Sequence, residues 1–62
     1  MKEGDLIFVH YIDRDKNGRE SDVCGHFELI KEEENFIVLK TKRNTIRIPY
    51  RRIIKLKEEN KI

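Results

Sequence analysis

The sequence predicts an all-β domain: five short strands closed into a small barrel, with one turn of 3₁₀ helix before the last strand. Three observations lead there. Apolar, β-branched and aromatic residues recur at period two in short runs, not at the 3.6-residue spacing of a helix. Polar stretches holding turn residues, among them Asn17-Gly18, Asn35 and Asn44, separate those runs. Pro49, which has no N–H to give to a ladder, stands just ahead of a final apolar run.

Taken in order, residues 5–12 (DLIFVHYI) form the first strand. Residues 13–22 (DRDKNGRESD) are polar throughout and make a long charged hairpin loop. Asn17-Gly18 within it favours a type I′ turn, in which both residues take positive φ. The second strand covers residues 23–31, with Gly25 as a bend or bulge and with Phe27 and Leu29 on one face. Residues 32–35 turn the chain, with Asn35 suited to a left-handed position. A helix over residues 31–35 has no apolar stripe to bury. The third strand is residues 36–41, the turn residues 42–44, and the fourth strand residues 45–48. Residues 49–52 make the 3₁₀ turn, residues 53–57 (IIKLK) the fifth strand, and residues 58–62 a frayed tail. Period two then places Ile7, Val9, Phe27, Leu29, Ile37, Leu39, Ile46, Ile48, Ile54 and Leu56 in the core. Closure into a barrel would remove the exposed edges of an open sheet.

A chain of 62 residues forms one domain, and with 42% charged residues its core must be thin. Cys24 is the single cysteine, so an internal disulfide is excluded. No apolar run approaches the roughly 18 residues of a membrane span. Residues 1–5 (MKEGD) lack the shape of a signal peptide, and an intracellular, cytoplasmic protein is expected.

The net charge of +2 conceals a strong asymmetry. Residues 1–39 carry ten acidic and five basic side chains, and residues 40–57 carry eight basic and no acidic ones. Such an imbalance points to a polyanionic partner.

The stretch NFIVLKTKRNTIRIPYRRIIKLK, residues 35–57, resembles the last three strands of the Sm-like proteins, including the bacterial Hfq proteins. Tyr50-Arg51-Arg52 sits where that family carries its basic turn. The segment Ile48-Pro49-Tyr50-Arg51-Arg52-Ile53 is also similar to a small archaeal domain described as recognising RNA cyclic-phosphate ends, with Arg51 where that family has histidine. Each resemblance covers about a third of the chain and implies a Src-homology-3-like or Sm-like barrel that binds RNA. A homo-oligomer is compatible with it.

On the residues themselves, Arg47, Tyr50, Arg51 and Arg52 are the expected central contacts of a non-catalytic nucleic-acid-binding module. Arginine forks grip phosphate, and a tyrosine ring stacks on a base for about 1–3 kcal/mol. Lys40, Lys42 and Arg43 would form an electrostatic rim. The plain competing reading is that these cations pair with Glu28, Glu32, Glu33 and Glu34 across the sheet. The alternative function is a protein-interaction module. It would hold a peptide or partner subunit in a groove between residues 13–22 and 32–35, lined by Tyr11, Phe36 and Tyr50.

Other patterns are weaker. Residues 13–18 (DRDKNG) match the first half of an EF-hand calcium loop, but Cys24 stands at the twelfth position, where a glutamate belongs. Cys24 and His26 share a strand face and could join His10, yet one cysteine cannot supply paired zinc-ligand spacing. No cofactor and no catalytic role are expected. Gly4, Gly18 and Gly25 are scattered, so no Gly-rich phosphate loop exists, and a thiolate nucleophile at Cys24 would need a base and an orienting group across a cleft.

Overall fold

The computed structural model describes residues 2–59. They form five antiparallel strands in one sheet: β1 Leu6–Arg14, β2 Glu20–Glu32, β3 Phe36–Lys40, β4 Thr45–Pro49 and β5 Ile53–Glu58. A single 3₁₀ turn, Tyr50–Arg52, joins β4 to β5. The spatial order is β4-β3-β2-β1-β5.

That order corrects the expectation of a barrel, because the sheet does not close. Strands β4 and β5 are its two edges, each with one neighbour. The edges are managed by side chains instead. Arg47 and Pro49 lie on β4 and Lys55 and Lys57 on β5, and charge and proline both discourage a further strand from pairing.

One face of the sheet holds the core. Ile7, Val9, Leu29, Ile37, Leu39 and Ile48 are buried, and Tyr11, Phe27, Ile46, Tyr50, Ile53 and Leu56 pack against them. The register explains the set. Ile7 lies opposite Phe27, Leu29 opposite Leu39, Leu39 opposite Ile46, and Ile37 opposite Ile48. Cross-strand partners share a face, so period two carries the apolar layer through four strands.

Two bulges set the remaining phases. On β5, Tyr11 is opposite Ile53 while His10 is opposite Lys55, so Ile54 is an extra residue. The bulge corrects the assignment of Ile54 to the core: it is 55% exposed, and Ile53 packs inward with Leu56. On β2 the register slips between Leu29 and Lys31, which makes Ile30 the extra residue. Without that slip Lys31 would face the core. With it, Glu32 comes to lie opposite Ile37. Gly25, expected to bend the strand, instead sits in regular pairing opposite Val9, and a Cβ there would meet the Phe27 ring at 3.4 Å.

Half of the long charged loop is strand. The β1–β2 ladder runs on to Arg14 opposite Glu20, where Arg14 Nη2 donates to Glu20 Oε2 at 2.6 Å. The polar sequence hid this because the ribbon projects beyond the core, with exposed side chains from Asp13 to Asp22. Its tip is not a type I′ turn. Gly18 has φ 82°, but no residue other than glycine takes positive φ among those described, so Asn17 and Asn35 are not left-handed. Asp15 provides the alternative: its Oδ1 accepts the N–H groups of Asn17 and Arg19, each at 2.9 Å. Of the tail expected to fray, Glu58 belongs to β5 and the Glu59 N–H donates to the Leu6 carbonyl at 3.1 Å. Residues 60–62 lie outside the described residues.

Candidate nucleic-acid interface

The basic segment is continuous in sequence but divided in space. Lys40 ends β3, exposed, between Glu28 of β2 and Thr45 of β4. Lys42 and Arg43 lie in the following turn, which Thr41 organises. Its Oγ1 accepts the Asn44 N–H at 3.1 Å and donates to the Asn44 carbonyl at 2.8 Å. Arg47 projects from β4 on the face opposite the core, because Ile46 and Ile48 point inward. Its Cζ lies 5.0 Å from the centre of the Phe36 ring, a cation–π contact. Pro49, opposite Phe36, ends the strand. Arg51 and Arg52 follow in the 3₁₀ turn, and Lys55 and Lys57 occupy the far edge strand, opposite His10 and Phe8.

The anticipated site therefore does not form one tight patch. Lys40, Lys42 and Arg43 gather at one end of the β3–β4 hairpin and Tyr50, Arg51 and Arg52 beyond the other. Roughly 14 Å separates the ends at about 3.4 Å per residue. Arg47 lies between them along β4, while Arg51 and Arg52 line a cleft with Ile12, Arg14 and Glu20 of β1 and β2.

The ion pairs of the described residues lie elsewhere. Arg14 pairs with Glu20 and Lys31 Nζ with Glu33 Oε2 at 2.8 Å, and His26 Nε2 makes a hydrogen-bond contact with Glu59 Oε1 at 3.1 Å. None of the eight basic residues between positions 40 and 57 pairs with a described carboxylate, although Glu28 stands directly across from Lys40. Glu33 is engaged by Lys31 and Glu32 by Tyr50. Among the described residues, no ion pair joins these cations to Glu28, Glu32, Glu33 or Glu34.

Tyr50 has a structural duty. Its ring packs against the core, its hydroxyl donates to Glu32 Oε2 at 3.3 Å, and its N–H donates to the Asn35 carbonyl at 3.1 Å. Burial, followed by the charge and hydrogen bond of Glu32, raises the phenol above its ordinary value of 10.0. Tyr50 ties the turn after β2 to the turn before β5, so the free stacking face foreseen for it is partly occupied. The aromatic side chain that sequence reasoning placed elsewhere is Phe36. It shares the outer face with Val38 and Lys40 by period two, and that parity already aligned it with Arg47. Tyr11, Phe36 and Tyr50 do not converge: Tyr11 and Tyr50 pack on the core side and Phe36 lies under Arg47.

Two clefts flank Arg51. One, of about 350 Å³, is lined by Ile12, Arg14, Glu20, Arg51 and Arg52. The other, of about 430 Å³, is lined by Glu34, Asn35, Pro49, Tyr50 and Arg51. A third, between Phe27, Glu28, Lys40 and Lys42, lies at the opposite end of β3.

The metal-like patterns are differently employed. Asp15 Oδ1 caps its own turn. Cys24 is exposed opposite His10, whose Nε2 lies 3.6 Å from Asp22, while His26 turns to Glu59. Among the described residues, no group of three or more His, Cys, Asp or Glu side chains is placed to hold a metal ion. Nor is any helix long and apolar enough to cross a membrane.

Fold and site together define a small, open, antiparallel sheet whose basic C-terminal segment forms no ion pair with a described carboxylate. No family model, curated protein or solved structure matches the chain.

Proposed function

We propose that this protein is a non-catalytic nucleic-acid-binding module whose preferred partner is RNA. The observation that carries the reading is that the eight cations between positions 40 and 57 form no ion pair with a described carboxylate, in a chain that has ten carboxylates before them. Cations held apart from available carboxylates remain free to neutralise phosphates and release counterions. Arg47, Arg51 and Arg52 are the central contacts, with Lys40, Lys42 and Arg43 as the electrostatic rim. The Arg47–Phe36 pair supplies a flat guanidinium backed by an aromatic ring, the kind of surface on which a base stacks. Tyr50 holds the turn that carries the two arginines and offers a base only its uncovered side.

The projecting β1–β2 ribbon argues against a duplex-groove reader. A ribbon can enter a major groove, but residues 13–22 hold four acidic and three basic side chains and so gain nothing from phosphates. The test is a fluorescence-anisotropy titration of the protein against single-stranded oligouridylate and duplex DNA at two salt concentrations. Salt-sensitive binding with preference for the single strand is expected. Absence of binding to both would end this reading.

A further inference from the structure

The cleft beside the 3₁₀ turn combines opposite charges that do not meet. Glu34 and Asn35 come from the turn after β2, and Pro49, Tyr50 and Arg51 from the end of β4 and the turn that follows. The two segments are tied by the Tyr50 N–H to the Asn35 carbonyl at 3.1 Å and by the Tyr50 hydroxyl to Glu32 at 3.3 Å. These bonds hold together the two backbone segments that carry the lining residues. Glu34 and Arg51 are both exposed, both line the cleft, and neither forms an ion pair with the other or with any described residue. A carboxylate and a guanidinium in one cleft, each unpaired, fit a ligand that bridges them.

We propose that this cleft is a base-reading pocket selective for guanine, an inference that rests on the nucleic-acid reading above. Guanine carries two adjacent donors, N1–H and the N2 amino group, on one edge, and two acceptors, O6 and N7, on another. A carboxylate accepts the first pair and an arginine fork donates to the second. Glu34 takes the donor edge and Arg51 the acceptor edge. Adenine and cytosine each offer a carboxylate only their single exocyclic amino group, and uracil only one ring N–H. Pro49 and Tyr50 supply apolar surface for the ring plane, as single-stranded bases require when unstacked from their neighbours. At about 430 Å³ the cleft falls within the usual range of small-ligand sites.

The experiment compares short oligouridylates carrying one central guanosine, inosine or adenosine, titrated into the intact chain. Inosine lacks only the N2 amino group. The guanosine oligomer should bind about tenfold more tightly than the adenosine one, with inosine between them. Glu34→Gln should abolish the advantage of guanosine over inosine while plain oligouridylate binds as before. Arg51→Lys should reduce guanosine preference and leave the salt dependence unchanged, since charge is kept and the fork is removed. Equal affinity for the three oligomers, or a guanosine preference that survives Glu34→Gln, overturns guanine selectivity and leaves the nucleic-acid reading standing. If none of the oligomers binds, the nucleic-acid reading fails and the pocket assignment falls with it. Glu34 is exposed and its side chain makes no hydrogen bond or ion pair with a described residue, so its variant tests recognition rather than folding.

Discussion

The β5 bulge makes adjacent isoleucines unequal, and that inequality is measurable. Ile53 packs against the core while Ile54 is 55% exposed. Leu39 is fully buried, facing Leu29 on one side and Ile46 on the other. A domain of 62 residues has a stability of about 3–9 kcal/mol at the usual per-residue value. Leu39→Ala should cost about 2–5 kcal/mol, because it empties a site walled by other strands and cannot collapse fully. That approaches the whole stability. Ile53→Ala, removing a half-buried side chain, should cost about 1–2 kcal/mol. Ile54→Ala should stay within about 0.5 kcal/mol of the parent, as surface substitutions do. Urea unfolding followed by far-ultraviolet circular dichroism gives all three values. If Ile54→Ala destabilises as much as Ile53→Ala, the bulge is misplaced and the inward face of β5 runs through Ile54 and Leu56.

Three further outcomes are expected. The double change Arg51→Ala, Arg52→Ala should weaken single-stranded RNA binding and lower the slope of log K against log salt by up to about 1.4, or about 0.7 for each phosphate no longer neutralised. A double variant that binds like the parent would remove the turn from the interface. Alkaline pH should destabilise the fold through Tyr50 and Tyr11, whose phenols are raised above 10.0 mainly by burial. Their contribution is fully present below about pH 10 and is lost as pH rises through the folded-state values, because the unfolded phenols ionise first. Tyr50→Phe should flatten the fall of the urea midpoint over that range, and an unchanged slope would refute the assignment. Calcium should leave the melting temperature unchanged, since Asp15 already accepts two backbone N–H groups and Arg14, Lys16 and Arg19 surround it. A rise of several degrees that a chelator reverses would show a calcium site.

The legible part of the site was its charge and its outward phase. Arg47 between Ile46 and Ile48 could only face away from the core, and Pro49 could only end its strand. The role of Tyr50 was not legible. Its bond to Glu32 depends on the β2 slip at Ile30, which brings Glu32 opposite Ile37 and within reach of the phenol. A bulge leaves no reliable mark in a single sequence, because the residue it adds is as apolar as the core residue before it. The same difficulty hid Ile54, which reads as one more core position in an alternating run.

The sequence by itself determined the strands, the inner faces of β1 to β4, the 3₁₀ turn after Pro49 and the concentration of positive charge after Leu39. These follow from local pattern: period two, turn chemistry, and the missing N–H of proline. The tertiary structure alone decided that the sheet stays open and that β4 and β5 lie on opposite edges. Strand order is a matter of long-range pairing, which no local pattern encodes. It places Arg47 and Lys55, near neighbours in the chain, at opposite sides of the sheet, and neither forms an ion pair with a described residue.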